Sequence, residues 1–442
     1  MEPIAPAPLT TLVTTDYSGI TRGRSVRCDA FEAEPALTVG WVPANQSLTP
    51  FDIIADDNPW GSTGDLRLNP DRAARYRVRL PGAATPLDMV MADVVELDGA
   101  PWLACPRSFL KQALAALESE TGLTLVGAFE HEFQLLGELF PAAPAFSLAA
   151  LRQADPLGPV VLAALAEAGL EPETFIAEYG KDQFEVTVSA TRGVAVSDQA
   201  VALREIVREA ARLKGLAMTF APKTAPDMVG NGVHIHLSLL DREGKNALYD
   251  AARPGRLSEI GGAFAAGIIR HMRAIVALAA PSVASYLRLK PHNWSASYTM
   301  LGERDREASL RICPTPTLAG KDPARSFNIE FRAADATASP HLALGMLVHA
   351  GLAGIREKLT APPVLAGDDP VTMTQAQREA LGLFRLPESL NEALIALESD
   401  SVARGFFAPK ALATYLGMKR AEIAQSRDLD PAALCRRYAQ IY

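Results

Sequence analysis

Two glutamates, Glu130 and Glu132, stand two apart in GAFEHEFQLL, and two histidines, His234 and His236, stand two apart in GVHIHLSL. Glu330 and Arg332 repeat the spacing in FNIEFR, and Glu185 lies in FEVTV, seven residues after Glu178. Residues i and i+2 of a β-strand point to the same face. If these strands share one sheet, a single face gathers several carboxylates, two imidazoles and an arginine. Carboxylates held that close repel one another unless cations join them. Hard oxygen donors with imidazole suit Mg²⁺ or Mn²⁺ better than a closed zinc site. Each pair alone has an ordinary explanation: a sheet with one wet face, or a salt bridge between Glu330 and Arg332. Jointly that explanation is harder to hold. FEV, VHIHL and IEF set the polar residue inside an apolar run, where a buried charge must be paired or bound to metal.

Arginine supplies the second group. Arg288 lies in SYLRLKP, and Arg306 and Arg311 lie in DREASLRICP, ahead of Arg332. Planar guanidinium groups match carboxylate and phosphate oxygens two at a time. Metal with clustered arginines is the equipment of phosphoryl transfer, in which cations neutralise the transferred group. The chain has neither a GxxxxGK[ST] loop nor a kinase glycine-rich loop, so a nucleotide must be held differently.

The elements that must position these residues follow from periodicity. Alternating apolar patterns predict strands over 123–136, 184–189, 233–240, 309–312 and 328–333. Helical spacing predicts helices over 197–214, 258–280, 341–359 and 390–397. Before them, residues 1–100 read as short strands and turns, with 13–16, 75–80 and 89–96 extended and a hairpin at Asp98-Gly99 carrying 97–103. RSFLKQALAALESETG predicts a helix from Pro106 to Gly122. The texture changes near residue 104, so the expected organisation is α+β, with domains at 1–104 and 105–442. A chain of 442 residues also exceeds one ordinary core.

Composition narrows the classes. Hydrophobic residues make up 48% and charged residues 21%, which suits a globular protein and excludes disorder. The net charge of −8 with no basic run argues against a nucleic-acid partner. Four cysteines, Cys28, Cys105, Cys313 and Cys435, form no CxxC pair, which points to a reducing compartment. The N-terminus lacks a basic segment before an apolar core, and the apolar stretch near 268–284 is interrupted by Arg270, His271, Arg273 and Pro281. A cytoplasmic protein without a membrane partner is expected.

The ordered set of Glu-x-Glu, Glu178 with FEV, Gly230-Asn-Gly-Val-His234-x-His236-x-Ser238, SYLRL-x-P, REASLRI and IEFR resembles the glutamine synthetase family over essentially the whole chain. The resemblance implies an N-terminal β-grasp domain and a catalytic domain with a curved antiparallel sheet and helices. It also implies a homo-oligomer of stacked rings, a dodecamer, with active sites between subunits. By motif, Glu132, Glu178 and Glu185 resemble ligands of the metal that orients glutamate. Glu130, His234 and Glu330 resemble ligands of the metal at the ATP phosphates. Arg288 and Gly230 belong to the amino-acid side, and His236, Ser238 and Arg306 to the ATP side. Arg311 and Arg332 resemble catalytic residues on the phosphates and the γ-carboxylate. The implied chemistry is ATP-dependent: the carboxylate of a small-molecule substrate is phosphorylated, and an amine then displaces phosphate.

The chain departs from that pattern at the nucleophile. Where the family usually reads R-L-x-P-G-Y-E-A-P, this sequence reads Arg288-Leu-Lys-Pro291-His292-Asn293-Trp294-Ser-Ala, with Trp294 in place of the flap glutamate. Losing that carboxylate disfavours ammonium. An indole face suits an alkyl or aryl amine. The family's first-domain aspartate, which takes the amine proton, corresponds to Asp52 or to its competitor Asp56. Val229 and Asn328 stand where Asn and Arg are frequent, and Phe384 replaces the tyrosine of adenylylated enzymes, which excludes that modification there. The expected activity is a γ-glutamyl-amide synthetase acting on an organic amine, a polyamine, alkylamine or arylamine. The alternatives are an authentic glutamine synthetase and an inactive relative that keeps the fold.

Overall fold

The computed structural model describes residues 4–137 and 139–442. Its first layer is a five-stranded mixed sheet. Strands β1 (Leu9–Thr15), β2 (Thr21–Arg27), β3 (Val39–Trp41), β4 (Leu66–Val78) and β5 (Leu87–Val95) lie in the order β2-β1-β5-β4-β3. The central β1 and β5 run parallel and the other neighbours antiparallel, as the expected β-grasp domain requires. The β1–β2 turn is held by the Asp16 carboxylate, which accepts the amides of Ser18 and Ile20, both at 2.9 Å. Gly19 in that turn has φ +73°, and a Cβ there would meet the Thr337 carbonyl oxygen at 2.3 Å. Glycine is therefore required where the two domains touch.

A helix over Pro106–Thr121 follows, with proline in its first turn and Gly122 as a left-handed C-cap, as its sequence predicts. Its buried Arg107 joins the domains. The guanidinium reaches Asp71 at 2.7 Å and Asp93 at 3.0 Å in the first sheet, and Asp198 at 2.8 Å in the second domain. His341 lies 2.9 Å from Asp198 and completes the network.

The second domain is built on ten strands: β6 (Thr124–Leu135), β7 (Pro172–Ala177), β8 (Gln183–Val188), β9 (Thr191–Arg192), β10 (Met218–Thr219), β11 (Val233–Leu240), β12 (Leu301–Glu303), β13 (Leu310–Ile312), β14 (Ile329–Ala334) and β15 (Val364–Leu365). The main path runs β15-β12-β13-β14-β11-β6-β8-β7, with β9 and β10 pairing onto β6. Helices Ala195–Leu213, Glu259–Ala279 and Pro340–Arg356 bury their apolar residues in the same core as the sheet. Strand β6 explains how the layers divide the labour. Leu125, Phe129, His131 and Phe133 are buried, while Ala128, Glu130 and Glu132 alternate with them on the opposite face.

The predicted strands and helices of this domain fall within a few residues of those observed. The hairpin expected at Asp98-Gly99 is present: the Glu96 amide donates to the Ala100 carbonyl at 2.8 Å, the Trp102 amide donates to the Val94 carbonyl at 3.1 Å, and Val95 bridges Pro101. Helices Leu157–Glu167, Pro409–Ser426 and Pro431–Ala439 were not anticipated. Helix Glu259–Ala279 is long and apolar enough to cross a membrane by length and composition, yet 83% of its apolar window is buried inside the fold. It is accounted for as a core helix.

Candidate active site

Strand register assembles the polar row. Across antiparallel neighbours, Glu185 of β8 faces Glu132 of β6, and Glu130 of β6 faces His234 of β11. His236 of β11 faces Glu330 of β14, which in turn faces Arg311 of β13. Directly opposed residues share a face, so five strands bring all of these side chains to one surface.

Within the row, His234 Nδ1 lies 3.1 Å from Glu130 Oε2 and 3.5 Å from Glu330 Oε1. His236 Nε2 lies 3.0 Å from Glu130 Oε1, without the alignment of a hydrogen bond. Its Nδ1 contacts Asn328 Oδ1 at 2.9 Å. Two groups place their donor atoms mutually within 4.8 Å: Glu130, His236 and Glu330, and Glu130, Glu185 and His234. Adjacent donors on an octahedral ion with ~2.1 Å bonds are roughly 3.0 Å apart, the spacing seen between Glu130 and the two imidazoles. The donor set therefore fits a hard divalent cation. Glu132 and Glu178 stand outside both groups. Glu132 Oε2 accepts the Gly232 amide at 2.7 Å, and Glu178 follows the end of β7.

Electrostatics describe a strained cluster. Burial raises Glu185 to about 9, and the neighbouring carboxylates Glu130, Glu132, Glu178 and Glu330 add to the shift. Burial and the Glu132 charge also raise Glu178. Burial would raise Glu130 as well, but the adjoining His234 and His236 hold it well below the carboxylate range. Glu330, 1% exposed, is likewise held low against its burial by His234, Arg332, His236 and Arg311. Arg332 Nη1 donates to its Oε1 at 2.5 Å, and Arg311 Nε lies 2.7 Å from its Oε2.

Arg288 is buried behind the row. Its Nη2 donates to the Ala334 carbonyl at 2.5 Å, and its Nε has no hydrogen-bond partner among the described residues. Burial lowers its pKa against the pull of Asp335 and Glu132. Gly230 makes room for it, since a Cβ there would meet Arg288 Cγ at 2.5 Å. A cavity of about 530 Å³ opens here, lined among others by Glu132, Tyr179, Lys223, His234, Arg288 and Trp294. Val229 also lines it. Arg306 is exposed, and its carbonyl accepts Arg332 Nε at 3.1 Å. The Ser238 hydroxyl is turned to the Phe327 carbonyl at 3.1 Å. Asp52 and Asp56 are not among the cavity's lining residues. Both are exposed on the first domain, and Asp52 pairs with Arg22 at 3.0 Å.

Three residues beside the site were not singled out from the sequence. Tyr179 and Phe146 extend Trp294 into an aromatic row, with centroids 6.4 Å apart for Tyr179–Trp294 and 6.3 Å for Phe146–Tyr179. Glu307 accepts the amides of His292 at 3.1 Å and Trp294 at 2.6 Å. Tyr179 adjoins Glu178 and Glu307 adjoins Arg306, so adjacency to motif residues was the available signal.

Two family models match nearly the whole chain: the glutamine synthetase N-terminal domain over residues 3–102 and the glutamine synthetase catalytic domain over residues 103–436. Gamma-glutamylpolyamine synthetase GlnA3 of Streptomyces coelicolor is 34% identical over 443 residues, covering 98% of this chain and 93% of the relative. A glutamine synthetase of Pyrococcus furiosus is 31% identical over 400 residues, covering 89% and 85%. A solved structure described as a novel glutamine synthase homolog superposes with a TM-score of 0.92 at 47% identity, over 100% of both chains. The chain belongs to the glutamine synthetase family, whose enzymes are ATP-dependent ligases that act on small molecules, generally use divalent metal and are typically oligomeric.

Proposed function

We propose that this chain joins glutamate to an organic amine, a polyamine, alkylamine or arylamine, through a γ-glutamyl phosphate. The observation that carries the reading is Trp294. It lines the cavity where the family's flap glutamate is expected, 59% exposed, beside Tyr179 at 62% and Phe146 at 54%. Aromatic faces attract the alkyl part of an amine as well as its cationic head, whereas ammonium has no alkyl part to lay on that surface. The similarity to a gamma-glutamylpolyamine synthetase supports the same direction.

In this reading Arg288 binds the amino-acid carboxylate, in the space Gly230 leaves open. The γ-carboxylate attacks the γ-phosphorus of ATP and ADP departs. Arg306 and Arg311 bear on the phosphate oxygens, and Arg332 bears on the γ-carboxylate. The amine nitrogen then attacks the acyl carbon, the C–O bond to phosphate breaks, and the amine proton passes to Asp52 or Asp56. His236 and Ser238 lie on the nucleotide side. Mg²⁺ or Mn²⁺ would be held by Glu132, Glu178 and Glu185 and by Glu130, His234 and Glu330, and would neutralise charge during phosphoryl transfer. His236 stands within the second set as well.

Because neither aspartate lines the cavity of its own chain, the proton acceptor would come from a neighbouring copy in a stacked-ring oligomer, a dodecamer. The exposed Ile53 and Ile54 between them give such a contact an apolar surface. Phosphate release with ATP, Mg²⁺, glutamate and a panel of amines tests the reaction. Turnover with ammonium equal to or better than with every amine would instead favour a glutamine synthetase. No phosphate release with any amine would favour an inactive relative.

A further inference from the structure

The turn that carries Trp294 is held in a conformation its own residues disfavour. His292 has φ +60° and Trp294 φ +50°, the left-handed region that neither side chain favours. Such a backbone persists only when its surroundings fix it. The flanks are fixed by Ser295, whose hydroxyl donates to the Arg288 carbonyl at 2.7 Å, and by His292 Nε2, 3.0 Å from Asp369 Oδ2. The centre is fixed by Glu307, whose two oxygens accept the amides of His292 and Trp294, the two left-handed residues. On the other side, the Trp294 carbonyl faces Arg332 Nη2 at 3.4 Å, and Arg332 pairs with Glu330. The turn is thereby tied to the polar row.

We infer that Glu307 is the positioning residue for the amine-side wall: its carboxylate clamps the 292–294 turn, sets the Trp294 indole beside Tyr179, and so determines which amines fit. The chain has lost a carboxylate on the flap and carries one beneath it. The specificity part of this inference rests on the reading of the cavity as an amine site; the clamp itself does not.

The test compares Glu307→Ala with the full-length parent. Hydrogen exchange at the His292 and Trp294 amides should accelerate at least about tenfold, equivalent to about 1.4 kcal/mol, with the β6 and β11 amides unchanged. KM for the amine should rise at least about tenfold, while KM for ATP and glutamate stays within about twofold. In a Trp294→Ala background the Glu307 change should have little further effect on the amine KM, because the two act as one unit. Glu307→Gln, which keeps one acceptor oxygen, should fall between parent and alanine. Unchanged exchange at the two amides would overturn the clamp. Faster exchange with equal losses for all three substrates would overturn its role in specificity. If the parent turns over no amine, the exchange measurement still decides the clamp, and only the functional reading fails.

Discussion

Glu185→Gln offers a sharp test of the acidic row, because its effect should depend on both pH and metal. Glu185 faces Glu132 directly across β6 and β8. Its carboxyl is raised from 4.5 to about 9, first by burial and then by four neighbouring carboxylates. The folded chain thus keeps a proton that the unfolded chain releases above 4.5. Stability from this group is present below that value and is lost as pH rises from 4.5 towards 9. Between pH 6 and pH 8 the loss amounts to at most about 3 kcal/mol, two pH units at roughly 1.4 kcal/mol each. Glutamine has no such linkage. In EDTA, denaturant unfolding at pH 6, 7 and 8 should find Glu185→Gln progressively more stable than the parent, by up to about 3 kcal/mol across the range. Saturating Mg²⁺ or Mn²⁺ should shrink that difference. The parent would gain about 2.7 kcal/mol at a hundredfold excess over Kd, and the variant far less. A parent-to-variant difference that stays flat from pH 6 to pH 8 without metal would refute the strained cluster.

Other consequences are independent of that one. Glu132→Gln should reduce amine-dependent phosphate release by at least about 100-fold while leaving the melting temperature within a few degrees. Full activity in this variant would contradict its assignment as a ligand. Arg107→Ala should destabilise the protein by about 3–5 kcal/mol in denaturant unfolding, because Asp198 would be left buried and poorly compensated between the domains. A loss below about 1 kcal/mol would mean that the network is incidental. Trp294→Glu should raise kcat/KM for ammonium about tenfold and lower it for bulky amines, read by coupled phosphate assay. No change in the ratio would remove Trp294 from the amine pocket.

Much of the site was legible because strand chemistry is local. Glu130 with Glu132 and His234 with His236 declare a shared face by their spacing of two, and β6 and β11 place them so. Which strands would be neighbours was not local information. The opposition of Glu132 to Glu185, and of Glu330 to both His236 and Arg311, follows from register across segments far apart in sequence. Glu307 was missed because its partners are backbone amides, and the sequence does not announce a left-handed His292 or Trp294. Helix Pro409–Ser426 was missed because its buried residues, among them Lys419 and Glu422, include a charged pair sealed at 2.8 Å rather than an apolar stripe.

The central claim, that this family member has exchanged ammonium for an organic amine, is tested most directly by one competition. Purified protein with ATP, Mg²⁺ and glutamate is given an equimolar mixture of ammonium and a panel of polyamines, alkylamines and arylamines, and the condensed products are read by mass spectrometry. A γ-glutamyl amide of an organic amine as the dominant product is the predicted result. Glutamine as the dominant product would contradict it.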